Sequence, residues 1–245
     1  LKAKVQAFCE GSASYEVRIG NGRKKEKRIM RAVIAGATGL VGSQLVVELL
    51  TDPTYTQVVV LTRRPWSKKH PKLKAVIIGD LSEILSHAHN LAGDVYFCCI
   101  GTTIKTAGSR EAFEKVDLIA VRDFAEVAKR NKAKTFVLVS ASGAHPKSKI
   151  FYSRIKGQAE QAVEGAAPKV VIFRPSLLIG DRAEERFGEK FFIQLFSLLK
   201  PVLPQSLANK MATSVQVLAC RMREESLRPN PAGAKIIEAR DLGVL

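Results

Sequence analysis

Residues 30–50 read MRAVIAGATGLVGSQLVVELL, and this one stretch decides the fold. Met30–Ala35 is a short apolar run of the kind that forms a strand buried on both faces. Leu40–Leu50 instead repeats its apolar residues at helical spacing. Between them Gly36, Gly39 and Gly42 stand three apart in Gly36-Ala37-Thr38-Gly39-Leu40-Val41-Gly42. Glycines at such a junction permit a tight turn and bring bare backbone amides up to an anion at the helix N-terminus. A pyrophosphate suits that arrangement. Tight turns of this kind also occur in α/β proteins that bind no nucleotide, so the rest of the chain has to agree.

Working outward, strand-like runs alternate with helical ones. Strands are expected at Gln57–Thr62, Leu73–Ile78, Asp94–Ile100, Thr135–Ser140, Lys169–Phe173 and Lys235–Glu238. Helices are expected at Leu40–Leu50, Ser82–Leu91, Arg110–Asn131, Tyr152–Glu164 and Arg186–Leu199. This alternation, with strands rich in Val, Ile and Phe, is that of an α/β doubly wound parallel sheet, a Rossmann fold. A small C-terminal annex on the substrate side completes it. The domain is expected to span 30–245, with substrate-side elements from about 174–232. Residues 1–29 carry eight Lys/Arg against three Glu and read as a basic, disordered or non-native extension.

Composition narrows the function classes. With 46% hydrophobic and 25% charged residues the chain is globular. No apolar run approaches the roughly 20 residues of a membrane span, and no secretory stretch is visible, which points to the cytoplasm. The cysteines at 9, 98, 99 and 220 lack zinc-like spacing, and His87 and His89 are wrongly spaced for one helical face, so no metal is expected. The net charge of +16 is spread through the chain without an aromatic-interleaved basic motif. Sequence-specific nucleic-acid binding is therefore not expected.

The candidate chemistry sits at strand ends. The second strand ends in Thr62-Arg63-Arg64, two cations where an acid would bind a ribose 2′-hydroxyl. This predicts NADP(H) in preference to NAD(H). Asp80, after the third strand, either accepts from adenine or caps the following turn. Tyr152 and Lys156 lie four apart on a helix, so phenol and ammonium share a face. A neighbouring cation favours phenolate and would lower the tyrosine pKa, suiting it to proton transfer as hydride moves. Upstream, Ser140 and Ser142 offer hydroxyls for the same substrate oxygen, and downstream the next strand ends in Arg174-Pro175.

Glycine turn, strand-end serine, Tyr-x-x-x-Lys and strand-end Arg-Pro, in this order, resemble the short-chain dehydrogenase/reductase superfamily. The stretches DVYFCCIGTT (94–103), FEKVD (113–117), FYSRIKGQAE (151–160) and FRPSLLIGDRAEERFGE (173–189) are similar to an atypical branch. That branch contains the HIV Tat-interacting-protein oxidoreductase and bacterial relatives. The resemblance covers about 30–245 and implies an NADPH site. In it Gly36, Thr38, Gly39, Leu40, Val41 and Gly42 would meet the pyrophosphate, and Arg63 and Arg64 the 2′-phosphate. Asp80 and Leu81 would flank adenine; Gly101, Thr102 and Thr103 would line the cleft. Tyr152 would be the acid, Lys156 would bind the nicotinamide ribose, and Arg174 and Pro175 would pack at the nicotinamide. Asp117 stands where many superfamily members carry asparagine.

The apolar stretch 187–204 (FGEKFFIQLFSLLKPVLP) reads as a core helix, a pocket lid, a surface for a protein partner, or a membrane contact with Lys190 and Lys200 at its ends. As a lid it implies a small apolar carbonyl or alcohol substrate. The expected function is thus an NADP(H)-dependent oxidoreductase of apolar carbonyls. The alternative is an NADPH-binding regulator or scaffold with little turnover.

Overall fold

The computed structural model describes residues 29–67, 69–176, 178–179, 213–229 and 232–242. The extension up to residue 28, the helix expected at 186–199 and the apolar segment 187–204 lie outside the described residues.

Nine strands are described: β1 (Met30–Ala35), β2 (Tyr55–Thr62), β3 (Leu73–Ile77), β4 (Val95–Cys98), β5 (Thr135–Val139), β6 (Lys169–Arg174), β7 (Leu178–Ile179), β8 (Thr213–Ser214) and β9 (Gly233–Glu238). Seven form one parallel sheet in the order β3-β2-β1-β4-β5-β6-β9. The short pair β7 and β8 makes a second, parallel sheet on the C-terminal side.

Alternation along the strands feeds two cores. Val33, Ala35, Val59, Leu61, Tyr96, Phe136, Leu138 and Ile172 face one side. There they meet α4 (Ala120–Arg130) and α5 (Phe151–Ala162) through Phe124, Val127, Ala159 and Val163. Ala32, Ile34, Val58, Val60, Phe97, Val137 and Val171 face the other, against α1 (Leu40–Thr51) and α6 (Val215–Leu227). Because both faces are covered, the strands read as continuous apolar runs. Chain order reverses direction across the sheet between β1 and β4, and ligands of such sheets sit in the crevice beyond the strand ends there.

Three elements differ from the pattern expected. The helix foreseen at Ser82–Leu91 is two 3₁₀ turns, Leu81–Glu83 and Ala88–Leu91, because Asp80 caps the first and His87 leaves helical geometry before the second. The helix foreseen at Arg110–Asn131 is α3 (Arg110–Glu114), a π-helical turn (Lys115–Ile119) and α4. A short α2 (Ile104–Ala107) precedes it. α6 was not foreseen, since Glu224, Glu225 and Ser226 interrupt its apolar pattern. All three are nevertheless buried. Glu225 is held by Arg228 and Lys235, and Ser226 by Tyr55 at 2.6 Å. α6 docks on α1 through Arg223, which pairs with Asp52 at 2.8 Å and Glu48 at 3.5 Å. Among the described residues no helix is long and apolar enough to cross a membrane.

Candidate active site

The turn after β1 is built from glycines for steric reasons. Gly36 has φ +82°, and a Cβ there would lie 2.4 Å from the Cys99 carbonyl oxygen. A Cβ on Gly42 would lie 2.2 Å from the Gly36 carbonyl oxygen, so α1 presses directly on the turn. The Gly39 amide donates to the Gly36 carbonyl at 3.0 Å, and Gly39 then opens α1 without any side-chain cap. The first turn of α1 carries no acidic residue. Its amide end therefore faces out unscreened, as anion binding requires.

Beyond it lies a cleft lined by Ala35, Gly36, Thr38 and Gly39 from the turn, and by Leu61, Thr62 and Arg63 at the end of β2. Ile78, Leu81, Cys99, Ile100, Gly101 and Val116 complete it. Of the residues expected at the pyrophosphate, Gly36, Thr38 and Gly39 line this cleft. Leu40 and Val41 pack into the core instead, and Gly42 serves the close approach of α1. Leu81 lines the cleft as expected. Asp80 acts as the cap of the turn, accepting from the Ser82 amide at 2.9 Å, which holds its carboxyl below the usual range together with the field of Arg63.

At the far end of the cleft the backbone of Gly101 opens onto the second half of the site. A Cβ on Gly101 would lie 3.5 Å from both Asp117 Oδ1 and Lys156 Nζ. Lys156 Nζ is 2.6 Å from Asp117 Oδ1, and the Thr102 amide donates to Oδ2 at 2.9 Å. Asp117 is wholly buried, on the π-helical turn that also places Val116 in the cleft. π-turns inside helices are frequent at functional sites. Oδ1 meets Nζ as an ion pair without hydrogen-bond alignment. Thr103 does not line the cleft; it caps α2 by accepting from the Thr106 amide.

α5 projects Tyr152, Lys156 and Glu160 from one face at four-residue intervals. Gly157 lets that helix lie against the backbone of His145 and Pro146, where a Cβ would come within 2.3 Å. Tyr152 packs on Phe113 with ring centres 5.8 Å apart. Its pKa is raised, not lowered: burial dominates, Lys156 opposes it, and Asp117 reinforces it. For Lys156, burial disfavours the ammonium, but Asp117 and Tyr152 outweigh that and hold the pKa above the usual lysine value. Burial pushes the Cys98 thiol beside Lys156 up to about 12, so it stays neutral.

One helical turn further on stands a different cluster. Glu160 accepts from Arg174 Nε at 2.9 Å and Nη2 at 2.6 Å, and from the Ser140 hydroxyl at 2.5 Å. Arg174 Nη1 donates to Glu238 at 2.9 Å. The Ser140 hydroxyl and the Arg174 guanidinium, both expected at the reacting centre, are thus committed to Glu160. The exposed Ser142 donates to the Arg174 carbonyl at 3.2 Å, and its amide to the Pro175 carbonyl at 2.9 Å. This keeps Ser142 and Pro175 together past the ends of β5 and β6. Sequence reading missed Glu160, whose signal was its place four residues after Lys156.

Residues 36–190 match a family described as NAD(P)H-binding. The chain belongs to this family. It is 38% identical over 161 residues to Protein FMP52, mitochondrial, of Candida albicans, covering 63% of this chain and 70% of that protein. It is 32% identical to Protein HTATIP2 of Rattus norvegicus over 84% of each. Among solved structures, MoeE5 with UDP-glucose and NAD superposes with TM-score 0.62 at 18% identity, covering 85% of this chain and 75% of MoeE5. A UDP-glucuronic acid 4-epimerase from Bacillus cereus, with UDP-glucuronic acid and NAD, superposes with TM-score 0.62 at 15% identity over 86% and 77%. Family and fold together make the chain an NAD(P)H-binding protein built on a Rossmann sheet.

Three expectations are corrected. The preference for NADP(H) is not kept: the similar solved structures hold NAD. Of the two arginines, Arg63 lines the cleft near Asp80, while Arg64 is exposed and does not line it. The small apolar substrate is set aside because those neighbours bind UDP-glucose and UDP-glucuronic acid. The segment that suggested it lies outside the described residues. Among the described residues, the guanidinium groups of Arg110 and Arg154 lie over the Phe151 ring, 5.2 and 5.7 Å from its centre. The cytoplasmic assignment is likewise withdrawn, since the FMP52 relatives are named mitochondrial.

Proposed function

We propose that the protein catalyses hydride transfer between a nicotinamide dinucleotide and a hydroxyl- or carbonyl-bearing carbon of a sugar nucleotide. Tyr152 exchanges the accompanying proton. The observation that carries this is the position of Tyr152 and Lys156 on one face of α5, where Gly101 ends the dinucleotide cleft. The cleft suits the dinucleotide: the uncapped, acid-free start of α1 would hold the pyrophosphate, and Leu61, Ile78 and Leu81 would bracket the adenosine half. The nicotinamide, when bound, supplies or accepts hydride.

The chain's own residues do the rest. Lys156 orients ribose hydroxyls and stands beside the phenol. Tyr152 gives the proton to, or takes it from, the substrate oxygen. Ser142 would be the serine to assist, being exposed and held only by a longer bond to the Arg174 carbonyl, whereas Ser140 is buried and held closely by Glu160. Arg110 and Arg154, over the Phe151 ring, would meet the substrate diphosphate. The substrate side would be built from about 174–232, including β7, β8 and α6.

The test is NADH and NADPH binding by fluorescence, with turnover measured on UDP-glucose and UDP-glucuronic acid. Dinucleotide binding together with turnover of either sugar supports the proposal. Binding without turnover of any sugar nucleotide would favour the scaffold reading, and absent binding would end both.

A further inference from the structure

We propose that Asp117 is a positioning residue that cancels the charge of Lys156 and so keeps Tyr152 a neutral phenol. The site then works near neutral pH as a proton donor, in the direction of carbonyl reduction. This rests on the reading of Tyr152 as the acid of the site.

The geometry is specific. Asp117 is wholly buried, its Oδ1 lies 2.6 Å from Lys156 Nζ, and its Oδ2 is fixed by the Thr102 amide. An asparagine there would still accept from Thr102 through its carbonyl oxygen, but it would leave the ammonium its full charge. Among the described residues, the groups facing Tyr152 and Lys156 are few. Lys156 comes from α5, Asp117 from the π-helical turn, the neutral thiol of Cys98 from β4 and the ring of Phe113 from α3. Arg110 and Arg154 lie around Phe151 and do not pair with either group.

Asp117 and Lys156 therefore titrate as a unit that holds one proton and carries no net charge. A phenolate beside an uncompensated ammonium would be stabilised; beside this pair it is not, and burial then favours the phenol. A reduced nicotinamide, when bound, would supply hydride to the carbonyl carbon, and Tyr152 would give its proton to the carbonyl oxygen. An alcohol forms, and the phenolate left behind is reprotonated from water.

The test is the phenol titration itself, read as the ultraviolet difference between the wild type and Tyr152→Phe. In the wild type no Tyr152 phenolate should form below the ordinary tyrosine value of about 10. In Asp117→Asn its midpoint should fall by about one pH unit or more. Asp117→Ser removes the same charge with a smaller side chain and should act alike should the asparagine variant fail to fold. Phenolate below about 10 in the wild type, or an unmoved midpoint in a folded Asp117 variant, overturns the proposal. NADH and NADPH fluorescence on the same proteins reads the dinucleotide site separately. If the wild type binds neither NADH nor NADPH, the functional reading falls, and with it the direction assigned here, whatever the titration shows.

Discussion

Two buried ion clusters lie along one face of α5, and they are built to different standards. At Glu160 each guanidinium nitrogen of Arg174 makes a hydrogen bond and both carboxylate oxygens accept, with Ser140 and Glu238 completing the set. At Lys156 the pair is close but unaligned, and it sits under the open backbone of Gly101. Fully bonded networks specify a fold, whereas a charge pair with spare bonding capacity beside a cleft is suited to meeting a ligand. The comparison separates structure from chemistry along two turns of a single helix.

The sharpest way to break that comparison is at Glu160. Glu160→Ala should leave Arg174 paired with Glu238 alone and remove the charged hydrogen bonds from Arg174 and Ser140, costing about 3 kcal/mol of stability, read by urea unfolding. A loss near zero would mean that the cluster is not structural. Tyr152→Phe should leave stability and NADH affinity intact while lowering kcat by about 10²–10⁴. A stability loss of the size expected for Glu160→Ala would erase the contrast. Ser140→Ala should remove a hydrogen bond to a charged group, worth about 1.5–3 kcal/mol, with turnover retained in the folded protein. Collapse of turnover without loss of stability would move Ser140 back to the reacting centre.

Alkaline pH offers the mildest probe. The folded pKa of Lys156 is raised, so its stabilising contribution is complete below the unfolded value near about 10.4 and is lost as pH rises through the folded value. The guanidinium of Arg174 keeps its charge throughout this range. Urea midpoints should fall above about pH 10.4 in the wild type and fall less steeply in Lys156→Met. Equal slopes would show that Lys156 does not couple to folding.

Much of this was legible in the chain. The strand–glycine–helix junction at 30–50 led to the sheet, and the strand ends named most of the cleft. Positions such as Gly36, Gly39 and Leu81 carry information locally, because a turn or a strand end has its own residue chemistry. The less legible residues depend on partners remote in sequence. Asp117 and Lys156 are 39 residues apart, and Ser140 and Glu160 20 apart. Reading Tyr152 beside Lys156 alone predicted a lowered pKa, because helical spacing shows the cation and not the carboxylate that meets it from the π-helical turn.

The amino-acid sequence by itself therefore determined the doubly wound sheet, the glycine turn and the Tyr152–Lys156 face, since each follows from periodicity or from local steric need. The tertiary structure alone decided that Ser140 and Arg174 serve Glu160, that Asp80 caps a turn in the field of Arg63, and that Asp117 answers Lys156. Charges buried together set one another's protonation across distances that no local pattern spans, and only the packed fold brings them into contact.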